Sequence, residues 1–321
     1  MVDVMNVVAQ ADQYRNPFSE WEQSSWIRSK PVRVAEMDGL PFPTDLVPLS
    51  QHPSIKVDAV LQNKILAYRL LAHLQFTTVL ELEHVNWVCS ALARGQGPVT
   101  LDADQRNDAL RIYCDEGGHA LFVELLSRKV EAAYDVDHTV LSRPEFDRTF
   151  DRLVSQYSDD VPTLLIRLFF VCVSETLVTK ILRDIPRDRR VSPLVRSVIG
   201  DHAADEGVHS IYFHWYFSRL WSSLSPKDKE FIGRILPELV WTFLSPDRTC
   251  ETNVLRKLGF SERDADRILR ETYQAAYVEA SVLQAAQPTL RMFQKAGVFD
   301  IPAVAANFTR NNLHVTDEVR R

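Results

Sequence analysis

The chain of 321 residues carries 37 Lys and Arg against 43 Asp and Glu, a net charge of −6 at pH 7, so it lacks the basic footprint of a nucleic-acid-binding protein. Hydrophobic content of 45% and charged content of 25% are those of an ordinary globular chain, and only 10 glycines favour long helices over a many-stranded sheet. The four cysteines (Cys89, Cys114, Cys172, Cys250) are scattered and form no CxxC; this argues against a zinc ribbon, an iron–sulfur cluster or a disulfide framework, and each reads as a small core filler in a reduced setting.

The first residues, MVDVMNVVAQADQ, show no basic-then-apolar leader pattern. Residues 1–54, rich in proline and aromatics (Pro17, Trp21, Trp26, Pro31, Pro41), predict a segment wrapping the surface, and residues 55–321 a single helical domain. Helical patterning runs over 55–93, breaks at Gly95-Gln96-Gly97-Pro98, and resumes over 102–133 with Asp102 or Asp104 as the cap. A connection with its own helical stretch near 144–157 leads to a helix over 162–184. That run is very apolar but carries Arg167, Glu175 and Lys180, so a core helix is expected rather than a membrane span. Ser192-Pro193 is a good start for a fourth helix to about 221. Further helices are expected at 226–244, 261–276 and 277–296, followed by a polar, loosely attached tail after Pro302. Cytoplasmic localisation without a membrane or nucleic-acid partner is the expectation.

One string occurs twice: Asp115-Glu116-Gly117-Gly118-His119 and Asp205-Glu206-Gly207-Val208-His209. Residues i and i+3 share a helix face, so Glu116 with His119, and Glu206 with His209, can each grip a metal ion. Glu81 precedes the first pair and Glu175 the second, each from a different helix. Two Glu-x-x-His pairs plus one glutamate from each of two other helices make the ligand set of a carboxylate-bridged di-metal site in a four-helix bundle. Fourteen residues separate Glu81 from Gly95 and fourteen separate Asp102 from Glu116; at about 21 Å per leg, a hairpin brings these two glutamates level. In the second hairpin the legs are less equal.

A single Glu-x-x-His arises often by chance. The doubling, the matched upstream glutamates and the burial of Glu175 in LFFVCVSETLVTKIL together favour metal, because an ionised carboxylate there is costly without a cation. His202 stands four residues before Glu206 and seven before His209, as a further ligand or as a surface histidine near the helix start. Asp115 and Asp205 are candidates to accept a hydrogen bond from the ligand histidine of the opposite motif, fixing its tautomer. Glu83 competes with Glu81 for the first ligand position, the hairpin arithmetic favouring Glu81. Gly117 and Gly118 sit in a ligand helix at a cost of roughly 1 kcal/mol each, explained by close helix packing or by space for a substrate.

The order Glu81, Glu116-x-x-His119, Glu175, His202-x3-Glu206-x2-His209 resembles the p-aminobenzoate N-oxygenase family of di-iron enzymes over about residues 55–216. The extra histidine, His202, separates that family from fatty-acid desaturases, ribonucleotide reductase small subunits and ferritins. The resemblance implies an all-α, ferritin-like four-helix bundle with flanking helices, and two iron ions, rather than manganese, held by Glu81, Glu116, His119, Glu175, His202, Glu206 and His209. It implies a monooxygenase using dioxygen to convert an amine to a hydroxylamine, and onward to nitroso or nitro, in small-molecule biosynthesis. The substrate is a small-molecule or carrier-bound amine. Electrons come from an external reductase, since no GxGxxG or cluster-binding cysteine set is present. A homodimer is compatible with the sequence. Arg69, Arg111 and Arg167 are candidates for binding a substrate anion, and Thr77, His73, Leu74 and Thr179 stand within two turns of Glu81 or Glu175.

Three other readings compete. A di-iron hydroxylase or desaturase acting on a C–H bond would use the same metal ligands. An iron-storing ferritin would be expected in a shorter chain, and a helical interaction protein with chance motifs would bind no metal.

Overall fold

A computed structural model describes residues 14–177 and 179–316. Among them the architecture is helical, and the pairing of Leu40 with Val191 is an isolated bridge. The bundle consists of two hairpins. In the first, helix α4 (Ala59–Val79) passes through a π-helical turn (Leu80–Val85) into α5 (Asn86–Ala93) and returns as α6 (Ala103–Tyr134). In the second, α8 (Thr163–Leu177) and α9 (Thr179–Asp184) return as α10 (Pro193–Ser223).

The helix starts follow local chemistry. Asp58 accepts hydrogen bonds from the Val60 and Leu61 amides at the head of α4, and Asp102 forms a reciprocal capping box with Gln105 at the head of α6. Gly95 and Gly97 between them have positive φ (72° and 121°), which a residue without a Cβ adopts cheaply. Ser192 occupies the cap position of α10 but makes no side-chain cap bond; Pro193 starts that helix through its fixed φ.

Short helices α1 (Trp21–Ser24), α2 (Trp26–Ser29) and α3 (Pro53–Lys56) punctuate the N-terminal segment. That segment buries Trp26 and Phe42 completely. Beyond α7 (Glu145–Tyr157) in the connection, the C-terminal part comprises α11 (Pro226–Leu244), α12 (Arg248–Lys257), α13 (Glu262–Thr272), α14 (Ala275–Lys295) and α15 (Pro302–Arg310).

Two expectations need correction. The chain after Pro302 is not a loose tail up to residue 316. Helix α15 inserts Val304 and Phe308 fully into the core, Trp241 Nε1 donates to the Asn311 carbonyl at 3.1 Å, and Gln287 holds the His314 carbonyl and the Thr316 amide. Two apolar residues spaced four apart share one face of this nine-residue helix and anchor a segment that the polar residues around them concealed. Residues 317–321 lie outside the described residues. Cys114 is not a core filler either: unlike Cys89, Cys172 and Cys250 it is exposed, on the outer side of α6.

The site lies at a junction in the apolar core. On α6, Ala109 and Ile112 belong to one buried hydrophobic cluster and Phe122 and Val123 to another; on α10, Val195–Ile199 and Tyr212–Phe217 divide in the same way. The acidic and histidine residues of both helices fall between those clusters, so the fold encloses one polar layer within two apolar ones.

Candidate metal centre

Glu81, Glu116, His119, Glu175, His202, Glu206 and His209 are all buried and converge on this layer. Their donor atoms form two overlapping groups, Glu81–His119–His202–Glu206 and Glu116–Glu175–Glu206–His209, with the atoms of each within 4.8 Å of one another. Glu206 belongs to both groups. Glu116 also spans them, lying 3.0 Å from His119 Nδ1 and 3.3 Å from His209 Nδ1. His202 Nε2 stands 3.0 Å from both Glu81 Oε1 and Glu206 Oε1, inside the cluster rather than at the surface.

Glu81 is carried on the π-helical turn, whose wider winding buries Glu81, His84 and Val85 and leaves Glu83 exposed. Regular α-helical arithmetic does not foresee that turn. His84 is held apart from the cluster by Asp147, whose Oδ1 is 2.9 Å from Nε2.

Each motif aspartate reaches across to the other motif. Asp205 Oδ2 accepts from His119 Nε2 at 3.1 Å, and Asp115 Oδ2 accepts from His209 Nε2 at 3.2 Å. This directs both Nδ1 atoms at the glutamates. The aspartates are tied in turn by the N-terminal segment. Trp21 Nε1 donates to both oxygens of Asp115 (3.0 and 2.8 Å), Ser25 Oγ donates to Asp115 Oδ1 at 2.5 Å, and the Trp26 amide donates to Asp205 Oδ2 at 3.1 Å. Sequence reading missed Trp21, Ser25 and Trp26, because nothing in their spacing points to residues ninety or more positions away. Gly118 makes the contact possible: a Cβ there would lie 2.9 Å from Ile27 Cδ1, whereas one at Gly117 would meet nothing within 4 Å. Helix packing therefore accounts for Gly118, and neither glycine lines the cavity described below.

Four glutamates with three neutral imidazoles give a formal charge of −4, which two divalent cations would cancel. Several donor atoms have no hydrogen-bond partner, among them Glu81 Oε2, Glu116 Oε1, Glu175 Oε2 and His209 Nδ1. Orphaned buried donors on hard carboxylates and imidazoles fit a pair of metal ions. Without such ions, protons must compensate. Burial and the neighbouring carboxylates Glu206 and Glu116 push Glu175 well above the carboxylate range, and burial raises Glu81 to about 7. Burial and His119 oppose protonation of His202, but the carboxylates Glu81 and Glu206 prevail and raise it to about 9. His119 and His209 are likewise held above the imidazole range against the cost of burial, by Asp205 and Glu116 for the first and by Glu116 and Glu206 for the second.

A cavity of about 400 Å³ leads from this cluster outward, with Glu81, Glu175, His202 and Glu206 in its wall. His73 and Thr77 line it, while Leu74 is in the core; the Thr179 side chain lies outside the described residues. Of the three candidate arginines, Arg69 alone faces the cavity. Arg111 is bound to Asp108 at 2.5 Å, and Arg167 stacks on Trp87 and Phe150 at 5.1 and 5.4 Å.

Comparison with known protein families matches residues 15–297 to the family described as P-aminobenzoate N-oxygenase AurF. Comparison with curated proteins finds no match. No helix among the described residues is long and apolar enough to cross a membrane.

Proposed function

Since this chain belongs to the p-aminobenzoate N-oxygenase family, we propose that it is a non-haem di-iron monooxygenase that oxidises an amine nitrogen. Its iron ligands are Glu81, Glu116, His119, Glu175, His202, Glu206 and His209. The observation that carries the reading is the placement of the charge-dense cluster at the inner end of a cavity large enough for a small organic molecule. Two iron ions held there would supply the activation of dioxygen. The net conversion inserts one oxygen atom into an N–H bond of the substrate amine, giving a hydroxylamine. The second oxygen leaves as water, taking two electrons from an external reductant and two protons. A second conversion of the same kind, with loss of water, gives the nitroso level, and a third gives the nitro level.

The residues of the chain have separable tasks. Glu81, Glu116, Glu175 and Glu206 would offset the charge of the two ions. Asp115 and Asp205 hold His209 and His119 with their Nε2–H groups turned away from the cluster, so that Nδ1 is the ligating atom. Phe76, Phe146 and Phe243, in edge and tilted contacts at 4.4 to 6.4 Å, form an apolar part of the cavity wall that restricts water.

The test is turnover of the iron-loaded, chemically reduced protein with isotopically labelled dioxygen and a panel of amines, followed by mass spectrometry of the products. Label on nitrogen is expected. Label on carbon, or loss of hydrogen without oxygen gain, would replace this reading by the C–H hydroxylase or desaturase alternative.

A further inference from the structure

Helix α4 and the π turn that continues it send four polar side chains into the cavity at four-residue intervals: Arg69, His73 and Thr77 from the helix and Glu81 from the turn. Such a stripe shares one helix face and spans about 18 Å from its outer to its inner end. Glu81 belongs to the metal cluster; the outer members do not. The outer wall also contains acidic groups, and most are satisfied by the protein. Asp45 pairs with Arg190 at 2.7 Å, Glu145 with Arg148 at 2.5 Å, and Asp247 accepts from the Cys250 and Glu145 amides.

Three outer groups retain unused capacity. Arg69 stacks over the Phe42 ring at 5.5 Å but makes no hydrogen bond or ion pair among the described residues. Glu251 accepts from Tyr273 on Oε1 at 2.5 Å, while its buried Oε2 has no partner. His73, more than nine-tenths buried, has no partner for Nε2. A guanidinium and a carboxylate that share a cavity wall without pairing to each other leave one place for an anion and one for a cation. An unpaired buried carboxylate oxygen is costly, and a bound ammonium would offset that cost.

We propose that the outer part of the cavity binds the head group of an α-amino acid, Arg69 holding its carboxylate and Glu251 its ammonium, with the side chain of that amino acid and its distal amine directed along the cavity towards the metal cluster. This rests on the N-oxygenase reading above and narrows it: the substrate is a zwitterion with a second, distal amine. A simple aromatic amino-carboxylate satisfies Arg69 but leaves Glu251 unpaired. His73, its imidazole kept neutral by burial and by Arg69, offers Nε2 as a hydrogen-bonding atom between the head group and the reacting end.

Calorimetric titration of the iron-loaded protein with L-lysine, 6-aminohexanoate, 1,5-diaminopentane and p-aminobenzoate tests the assignment without requiring turnover. L-Lysine lacks nothing the site asks for, while the next two omit the α-ammonium and the carboxylate in turn. L-Lysine should bind at least tenfold more tightly than any of the others. Glu251→Gln, whose amide oxygen still accepts from Tyr273, should remove the advantage over 6-aminohexanoate and over p-aminobenzoate while keeping that over 1,5-diaminopentane. Arg69→Gln should remove the advantage over 1,5-diaminopentane only. Equal affinity for p-aminobenzoate and L-lysine in the parent protein, or an equal loss for every ligand in both variants, would overturn the proposal. Turnover then separates the two levels. N-oxygenation of p-aminobenzoate with no head-group selectivity refutes this inference alone, whereas oxygenation of no amine at all refutes the function on which it rests.

Discussion

The two motif aspartates occupy equivalent positions in sequence, yet replacing each by asparagine should have unequal consequences. Asp205 receives both His119 Nε2 and the Trp26 amide on the same oxygen, Oδ2, each at 3.1 Å. An asparagine can place its carbonyl there and keep both hydrogen bonds, losing only the charge. Asp115 has no such option. Trp21 Nε1 lies 3.0 Å from Oδ1 and 2.8 Å from Oδ2, so either orientation of an amide sets an NH2 group against the indole N–H. If the NH2 takes the Oδ2 position, it also faces His209 Nε2–H. A lost hydrogen bond to a charged group together with a buried donor left unsatisfied costs about 1–3 kcal/mol. A change of 1.4 kcal/mol is about tenfold in an equilibrium, so Asp115→Asn should weaken metal binding by roughly 10- to 100-fold, in the range for partners of metal ligands. Asp205→Asn should fall at or below the lower end of that range. Competition of each iron-loaded variant against a chelator measures the difference, and circular dichroism checks that both are folded. Equal losses, or a larger loss for Asp205→Asn, would refute the reasoning from shared and separate oxygens.

Three other outcomes follow from named contacts. Glu83→Ala should keep the full metal content because Glu83 is exposed, whereas Glu81→Ala should lose metal; elemental analysis of the two variants decides between them. Gly117→Ala should raise stability in urea by roughly 1 kcal/mol through helix propensity, while Gly118→Ala should lower it by about 1–3 kcal/mol by displacing Ile27; if both variants were stabilised, Ile27 would not be closely packed on α6. Burial, with Arg69 and His202 nearby, pushes His73 down from 6.5 to about 3. A depressed imidazole contributes stability that is present above pH 6.5 and is lost progressively as pH falls from there to about 3, here on the order of 5 kcal/mol. Chemical denaturation across that window should therefore show a shallower acid loss for His73→Gln, and an unchanged slope would show that His73 does not titrate in this way.

The helix pairs and the seven clustered residues were legible because their signals are local. A Glu-x-x-His pair works within a single helical turn, and hairpin legs of equal length set Glu81 beside Glu116 by counting alone. What escaped was non-local or irregular. The π turn that carries Glu81 leaves no mark in composition or spacing. Trp21, Ser25 and Trp26 reach Asp115 and Asp205 across 90 to 179 positions in the chain. Helix α12 was missed because its buried face is only Cys250, Val254 and Leu255, yet its Glu251 is one of the acidic groups that line the cavity. The chain after Pro302 was underrated for the same reason: Val304 and Phe308 are few, but both are completely enclosed.

Anomalous X-ray scattering at the iron absorption edge, from crystals of iron-loaded protein, tests the central claim most directly. The account expects two peaks per chain, one among Glu81, His119, His202 and Glu206 and the other among Glu116, Glu175, Glu206 and His209. A single peak, or none at this cluster in fully folded protein, would contradict it.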